Sequence, residues 1–179
     1  MAYVFKRGKM ASGVLDVMLA NAVCTSGVKD GSLLVLGNLA SDTTYSATGV
    51  EYDTYVATAP AAATNEVVIC DYAGISEGII SGNEYKMGNK LYDLEVPAGE
   101  IFRVRRLGLH DKFWLGEHNF VGNSPVVGEY ATATAGDCRH TPAASLPASG
   151  YAVKILLSED LTAGMASKGL IYLCEVVQL

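Results

Sequence analysis

The chain has 179 residues, 50% hydrophobic and 18% charged, with 13 basic and 19 acidic side chains and a formal charge of −6. This composition excludes a disordered chain. The acidic balance argues against a nucleic-acid partner, because duplex phosphates repel such a chain unless positive charge gathers on one face. No run approaches the roughly 20 apolar residues of a membrane-spanning helix, so no membrane partner is expected.

At the N-terminus Lys6, Arg7 and Lys9 precede ASGVLDVML, and Ala20-Asn21-Ala22 imitates a signal-peptidase site. Asp16 interrupts the apolar stretch, which argues against a secretion signal. Over Ser12–Ala22, Ser12 as N-cap with Val14, Val17 and Met18 would suit a short helix, whereas Gly13 and the two valines suit an extended arm. Both readings stay open. Residues 1–22 are therefore expected to form an N-terminal arm or short element, followed by a β-rich domain over residues 23–179.

Strand signals dominate the rest. Lys29-Asp30-Gly31 reads as a turn before a strand at Leu33–Leu36. Val50–Thr58 alternates β-branched and aromatic residues with polar ones, the pattern of a half-buried strand. Glu66–Asp71 contains the unbroken apolar run VVIC, so it is expected to be covered on both sides. Leu91–Val96 leads into Pro97-Ala98-Gly99, with proline and glycine suited to the centre of a type II-like turn, and Ile101–Leu107 is expected to return as the second arm of a hairpin. Tyr151–Leu157 and Leu170–Val177 are the clearest late strands, and Ser158–Thr162 could start one helical turn between them. Ala57–Asn65 and Ala131–Ser149 read as loops, the latter because Gly136, Pro142 and Pro147 oppose a long regular element. The fold class expected is mostly β: a single β-sandwich or β-barrel-like domain with long loops and an extended N-terminal arm.

The residues do not suggest an enzyme. No G-x-S-x-G serine motif or phosphate-cradling glycine loop is present. Cys138 and His140 stand two apart, unlike dyads assembled from distant segments. Cys24, Cys70, Cys138 and Cys174 form no close pair of the kind zinc sites use, and Cys70 and Cys174 lie in apolar runs like small buried hydrophobes. His110, Glu117 and His118 offer three metal-ligand types in a turn-rich stretch, but solvated loop residues explain them as well. Neither a catalytic residue, a metal nor a cofactor is expected.

The most unusual stretch is IFRVRRLGLHDKFWLGEHNF, Ile101–Phe120. Arg103, Arg105 and Arg106 stand in an acidic protein, with Arg103 and Arg105 on one strand face. Phe113 and Trp114 follow closely, and aromatics beside arginines are enriched at protein-interface hot spots. These five are the candidate partner-binding residues. The competing reading makes the aromatics core and pairs the arginines with the chain's own carboxylates.

Val4-Phe5-Lys6, YDLEVPAGEIFRVRRL (Tyr92–Leu107), KFWLGEHN (Lys112–Asn119), Val127-Gly128-Glu129-Tyr130 and the closing YAVKILL and LIYLCEVVQL together resemble the capsid decoration, or cement, proteins of tailed bacteriophages that infect Firmicutes. The resemblance implies a β-sandwich or barrel-like body without catalysis that binds outside the assembled major-capsid lattice, and homo-oligomers are compatible with it. It implies a virion location at the capsid surface after synthesis in the bacterial cytoplasm. It carries no functional residue set. On this expectation, Met1–Ala11 could add a strand to a neighbour's sheet. Other virion parts, such as tail-tube, head-completion or head-fibre proteins, and a β-scaffold ligand binder or enzyme are the alternatives.

Overall fold

The computed structural model describes residues 5–11, 15–40, 54–61, 66–72, 95–123, 125–160 and 169–179. In chain order its strands are β1 (Phe5–Arg7), β2 (Leu19–Val23), β3 (Val28–Lys29), β4 (Leu33–Leu39), β5 (Thr54–Thr58), β6 (Val68–Cys70), β7 (Glu95–Val96), β8 (Ile101–Arg106), β9 (Lys112–Gly116), β10 (Tyr130–Thr134), β11 (Asp137–Ala143), β12 (Ala152–Asp160) and β13 (Leu170–Gln178). Five of them close into a barrel, β2-β5-β4-β6-β8, and six form an antiparallel sheet ordered β1-β9-β13-β12-β10-β11. The fold is mostly β, as the alternation in the sequence requires.

A five-stranded barrel has a narrow bore, since barrel diameter grows with strand number. Its filling is correspondingly small: Ala20, Ala22, Ala57, Leu34, Val68, Cys70 and Val104, with the buried ring of Phe102 and the partly buried ring of Tyr55. β2 and β5 run parallel, so the chain between them must cross over, and β4 lies in that crossover. Leu33, Val67 and Ile69 point out of the barrel and join Phe113, Leu115, Ala131, Val153, Ile155 and Cys174 of the sheet in a second core. That core glues the two layers together.

Several expectations change. Leu91–Val96 and Ile101–Leu107 do not pair as a hairpin: among the described residues β7 pairs with β3, while β8 pairs with β2 and β6. Residues 91–94 lie outside the described residues. The turn itself spans Pro97 to Glu100, whose N–H donates to the Pro97 carbonyl at 3.2 Å. Proline thus takes the first position, and Gly99, at φ 81, supplies the left-handed one. Ala131–Ser149 is no plain loop, because β10 and β11 form a hairpin through it. Gly136 turns the chain at φ 76, and Pro142 is tolerated because β11 is an edge strand whose outward N–H is dispensable. Ser158–Asp160 extends β12 instead of starting a helix.

In the predicted arm, Phe5 pairs with Leu115 in the sheet and Leu19–Val23 staves the barrel after one 3-10 turn at Asp16–Met18. The strand offered to a neighbour is used within the same chain. Residues 50–53, 62–65 and 161–168, parts of the expected Val50–Thr58 strand and of two connections, lie outside the described residues.

Candidate docking surface

β8 places the three arginines in three environments. Arg103 is exposed. Arg106 is partly exposed at the barrel mouth, 3.4 Å from Glu66. Beside this pair opens a recess of about 310 Å³, lined by Leu36, Tyr55, Val68 and neighbouring side chains. Arg105 shares the outward face with Arg103, as alternation predicts, but the sheet packs over it and leaves it 2% exposed. Its Nε donates to Asp71, itself buried, at 2.5 Å. A buried guanidinium this closely paired cannot reach a partner. Arg105 is therefore corrected from contact residue to internal ion pair, and the reason lies in what covers that face.

β9 divides the aromatics in the same way. Phe113 is fully buried, its ring 5.7 Å from that of Phe5. It too is withdrawn from the docking set. Trp114, one residue on, points to the opposite face of the sheet and is half-buried.

That second face is turned away from the barrel, and register shows what it carries. Lys6, Trp114, Leu173 and Leu157 form one cross-strand row. Paired residues project to the same side, so this row continues across four strands. The adjacent row runs Lys112, Glu175, Lys154 and Tyr130. Leu157, 36% exposed, reaches this face because an irregularity between Ile155 and Leu157 shifts the alternation by one residue. Glu175 lies 3.6 Å from Lys112 and 3.1 Å from His110. The His110 hydrogen bond, aided by the Lys112 charge, holds its carboxyl below the usual range. Lys154 stands 6.0 Å over the Tyr130 ring. An apolar row of Trp and Leu beside a row of paired charges is the anatomy of an interface core with its rim.

Sequence reasoning singled out Trp114 and did not name Leu157, Leu173 or the lysines that share its face. Their membership depends on register between strands far apart in the chain and on one bulge. No local signal marks it.

The residues weighed for catalysis and metal binding are dispersed. His118 pairs with Glu117 at 3.3 Å, while Asp111 accepts the Ala11 and Gly108 N–H groups, and among the described residues no three potential ligands gather. Burial pushes the Cys138 thiol up to about 11, so it stays protonated at neutral pH. His140 is fully buried, with Nδ1 3.3 Å from the Tyr151 hydroxyl and its ring against Phe120. Burial drives its pKa down to about 3, opposed by the Gly31 backbone.

Comparison with known proteins decides nothing further. No family model matches this chain, and no curated protein matches it.

Proposed function

We propose that this protein is a non-enzymatic structural component of a tailed-phage virion that decorates or stabilises the outside of the assembled capsid. The carrying observation is the sheet face opposite the barrel. There Trp114, Leu173 and Leu157 form an apolar row that, among the described residues, the second layer does not cover, flanked by Lys6, Lys112 and Lys154. The segments that resemble decoration proteins supply the partner class, and the mostly β two-layer body is compatible with it. On this reading the lysines meet carboxylates of the capsid lattice and favour encounter, while Trp114 supplies desolvated anchor area. Many copies on a repeating shell then multiply individually modest contacts.

Co-sedimentation with assembled capsid shells lacking the protein tests the proposal. Wild type should pellet with the shells, more weakly as salt rises. Trp114→Ala should weaken attachment about 30-fold, the scale of a hot-spot truncation near 2 kcal/mol. Lys154→Glu, checked as folded by circular dichroism, should lower attachment and its salt dependence together. Self-assembly into rings without any shell would favour a tail-tube component instead. Unchanged attachment of both variants would remove this face from the docking surface.

A further inference from the structure

Asp30 occupies the turn between β3 and β4, where the barrel meets the sheet. Ser32 N–H closes that turn onto the Lys29 carbonyl, and Gly31 takes φ 76. The Asp30 side chain ties down two other parts of the chain. Its Oδ2 accepts the N–H of Phe5 in β1 at 2.9 Å, and its Oδ1 accepts the N–H of Tyr72 beyond β6 at 2.9 Å. Its backbone carbonyl accepts from the Asn119 side chain at 2.7 Å. One carboxylate therefore clasps the edge strand of the sheet to the end of a barrel strand.

We propose that Asp30 is a proton-governed latch, whose charge state sets how readily β1 and Phe5 come away from the body of the protein. Three observations support it. First, β1 is three residues long and among the described residues pairs only with β9, so it is the element that can leave at least expense to the remaining ladders. Second, the surroundings work against a negative charge. Burial, with a further contribution from the Asp71 carboxylate, raises Asp30 from 3.8 to about 7, although the Tyr72 and Phe5 N–H groups favour the ion. Third, a second carboxylate acts on Asp30 through its charge and adjoins one of its partners in the chain. Asp71 precedes Tyr72 in the chain, and its Oδ1 has no hydrogen-bond partner among the described residues.

Other titratable groups lie around Asp30. Asp71 is engaged with Arg105, and burial keeps Cys70 a neutral thiol. His140, beyond Gly31, is neutral above about 3. Tyr72 is raised above its usual value by partial burial.

The sign follows from linkage. Asp30 is already partly exposed; once β1 lifts, water surrounds it more fully and its pKa returns toward 3.8, so the open form binds fewer protons than the closed one between about 4 and 7. Opening therefore becomes easier as pH rises through this window and harder on acidification. The latch is closed by a proton and loosened by its loss.

Amide hydrogen exchange reads this directly. Between pH 5 and 6.5 the Phe5 amide of wild type should exchange about a hundredfold faster per pH unit, tenfold from base catalysis and tenfold from easier opening. In Asp30→Asn the same amide should show the tenfold dependence alone. A tenfold dependence for Phe5 in wild type, or a hundredfold one that persists in the variant, overturns the latch. If Asp30→Asn does not fold, carboxyl-carbon NMR of wild type takes its place beside the wild-type exchange data. An Asp30 midpoint near 7 sustains the latch, and one below 5 overturns it.

Discussion

The barrel and the six-stranded sheet are built by different means, although they share a core. The sheet's four central and right-hand strands are two antiparallel hairpins, β10–β11 and β12–β13, and its inner face is sealed by apolar side chains such as Phe113, Cys174 and Ile155. The barrel joins strands from remote parts of the chain, includes a parallel pair, and carries buried charge into the layer boundary at Arg105 and Asp71, with the partly exposed Asp30 beside them. The difference shows where the fold is sensitive. Sheet defects are losses of packing, graded by volume. Defects at the barrel boundary strand a charge away from water, which is harsher and depends on pH.

The largest expected effect breaks that boundary. Asp71→Ala leaves the Arg105 guanidinium buried without its carboxylate and should cost about 3–5 kcal/mol in urea unfolding. Arg103→Ala, on the same strand face but exposed, should change stability by less than about 0.5 kcal/mol. Replacing the pair together, Asp71→Leu with Arg105→Met, should recover most of the loss, because a well-packed apolar pair avoids the desolvation of two charges. A double variant as unstable as Asp71→Ala would mean that packing, not charge, governs the boundary.

The pH dependence sharpens the contrast. Asp30, raised from 3.8 to about 7, contributes stability that is fully present below 3.8 and lost as pH rises to 7. His140, lowered from 6.5 to about 3, contributes stability that is fully present above 6.5 and lost as pH falls to 3. Each is worth up to about 4 kcal/mol, and the two oppose each other over the shared interval. Stability measured at pH 4, 5, 6 and 7 should therefore fall with pH in His140→Phe and rise with pH in Asp30→Asn, with wild type flatter than either. Parallel profiles for all three would show that neither group sets the pH response.

The smallest effect belongs to the sheet's own hairpin. A Cβ on Gly136 would meet nothing within 4 Å, so Gly136→Ala isolates the backbone term of its φ of 76. About 1–2 kcal/mol should be lost in thermal or urea unfolding, with no change in pH profile.

The same division governs what could be read from the residues. β12 and β13 were legible because their alternation is local: Tyr151–Leu157 and Leu170–Val177 were expected, and Ala152–Asp160 and Leu170–Gln178 form. β11 was not, because Pro142 rules out a central strand but not an edge, and edge position is a property of the whole sheet. Arg103 and Arg105 were correctly placed on one face. Which of them would be covered depended on Ile69 and the sheet packing over that side. Asp30 read only as a turn residue, since its partners Phe5 and Tyr72 lie 25 and 42 positions away. Of the outer row of the sheet, Trp114 was singled out by residue type and Leu157 was not.

The pairing of Phe5 with Leu115 also constrains the birth of the molecule. β1 is made before its partner strand, which follows roughly 110 residues later, a delay of roughly 5–20 s at ordinary rates of synthesis. β2 waits almost as long for β8, without which the barrel cannot close. Neither N-terminal strand has a hairpin neighbour to shelter it meanwhile. Productive folding is thus held back until β8 and β9 have emerged, and β1 and β2 are among the last strands to be secured.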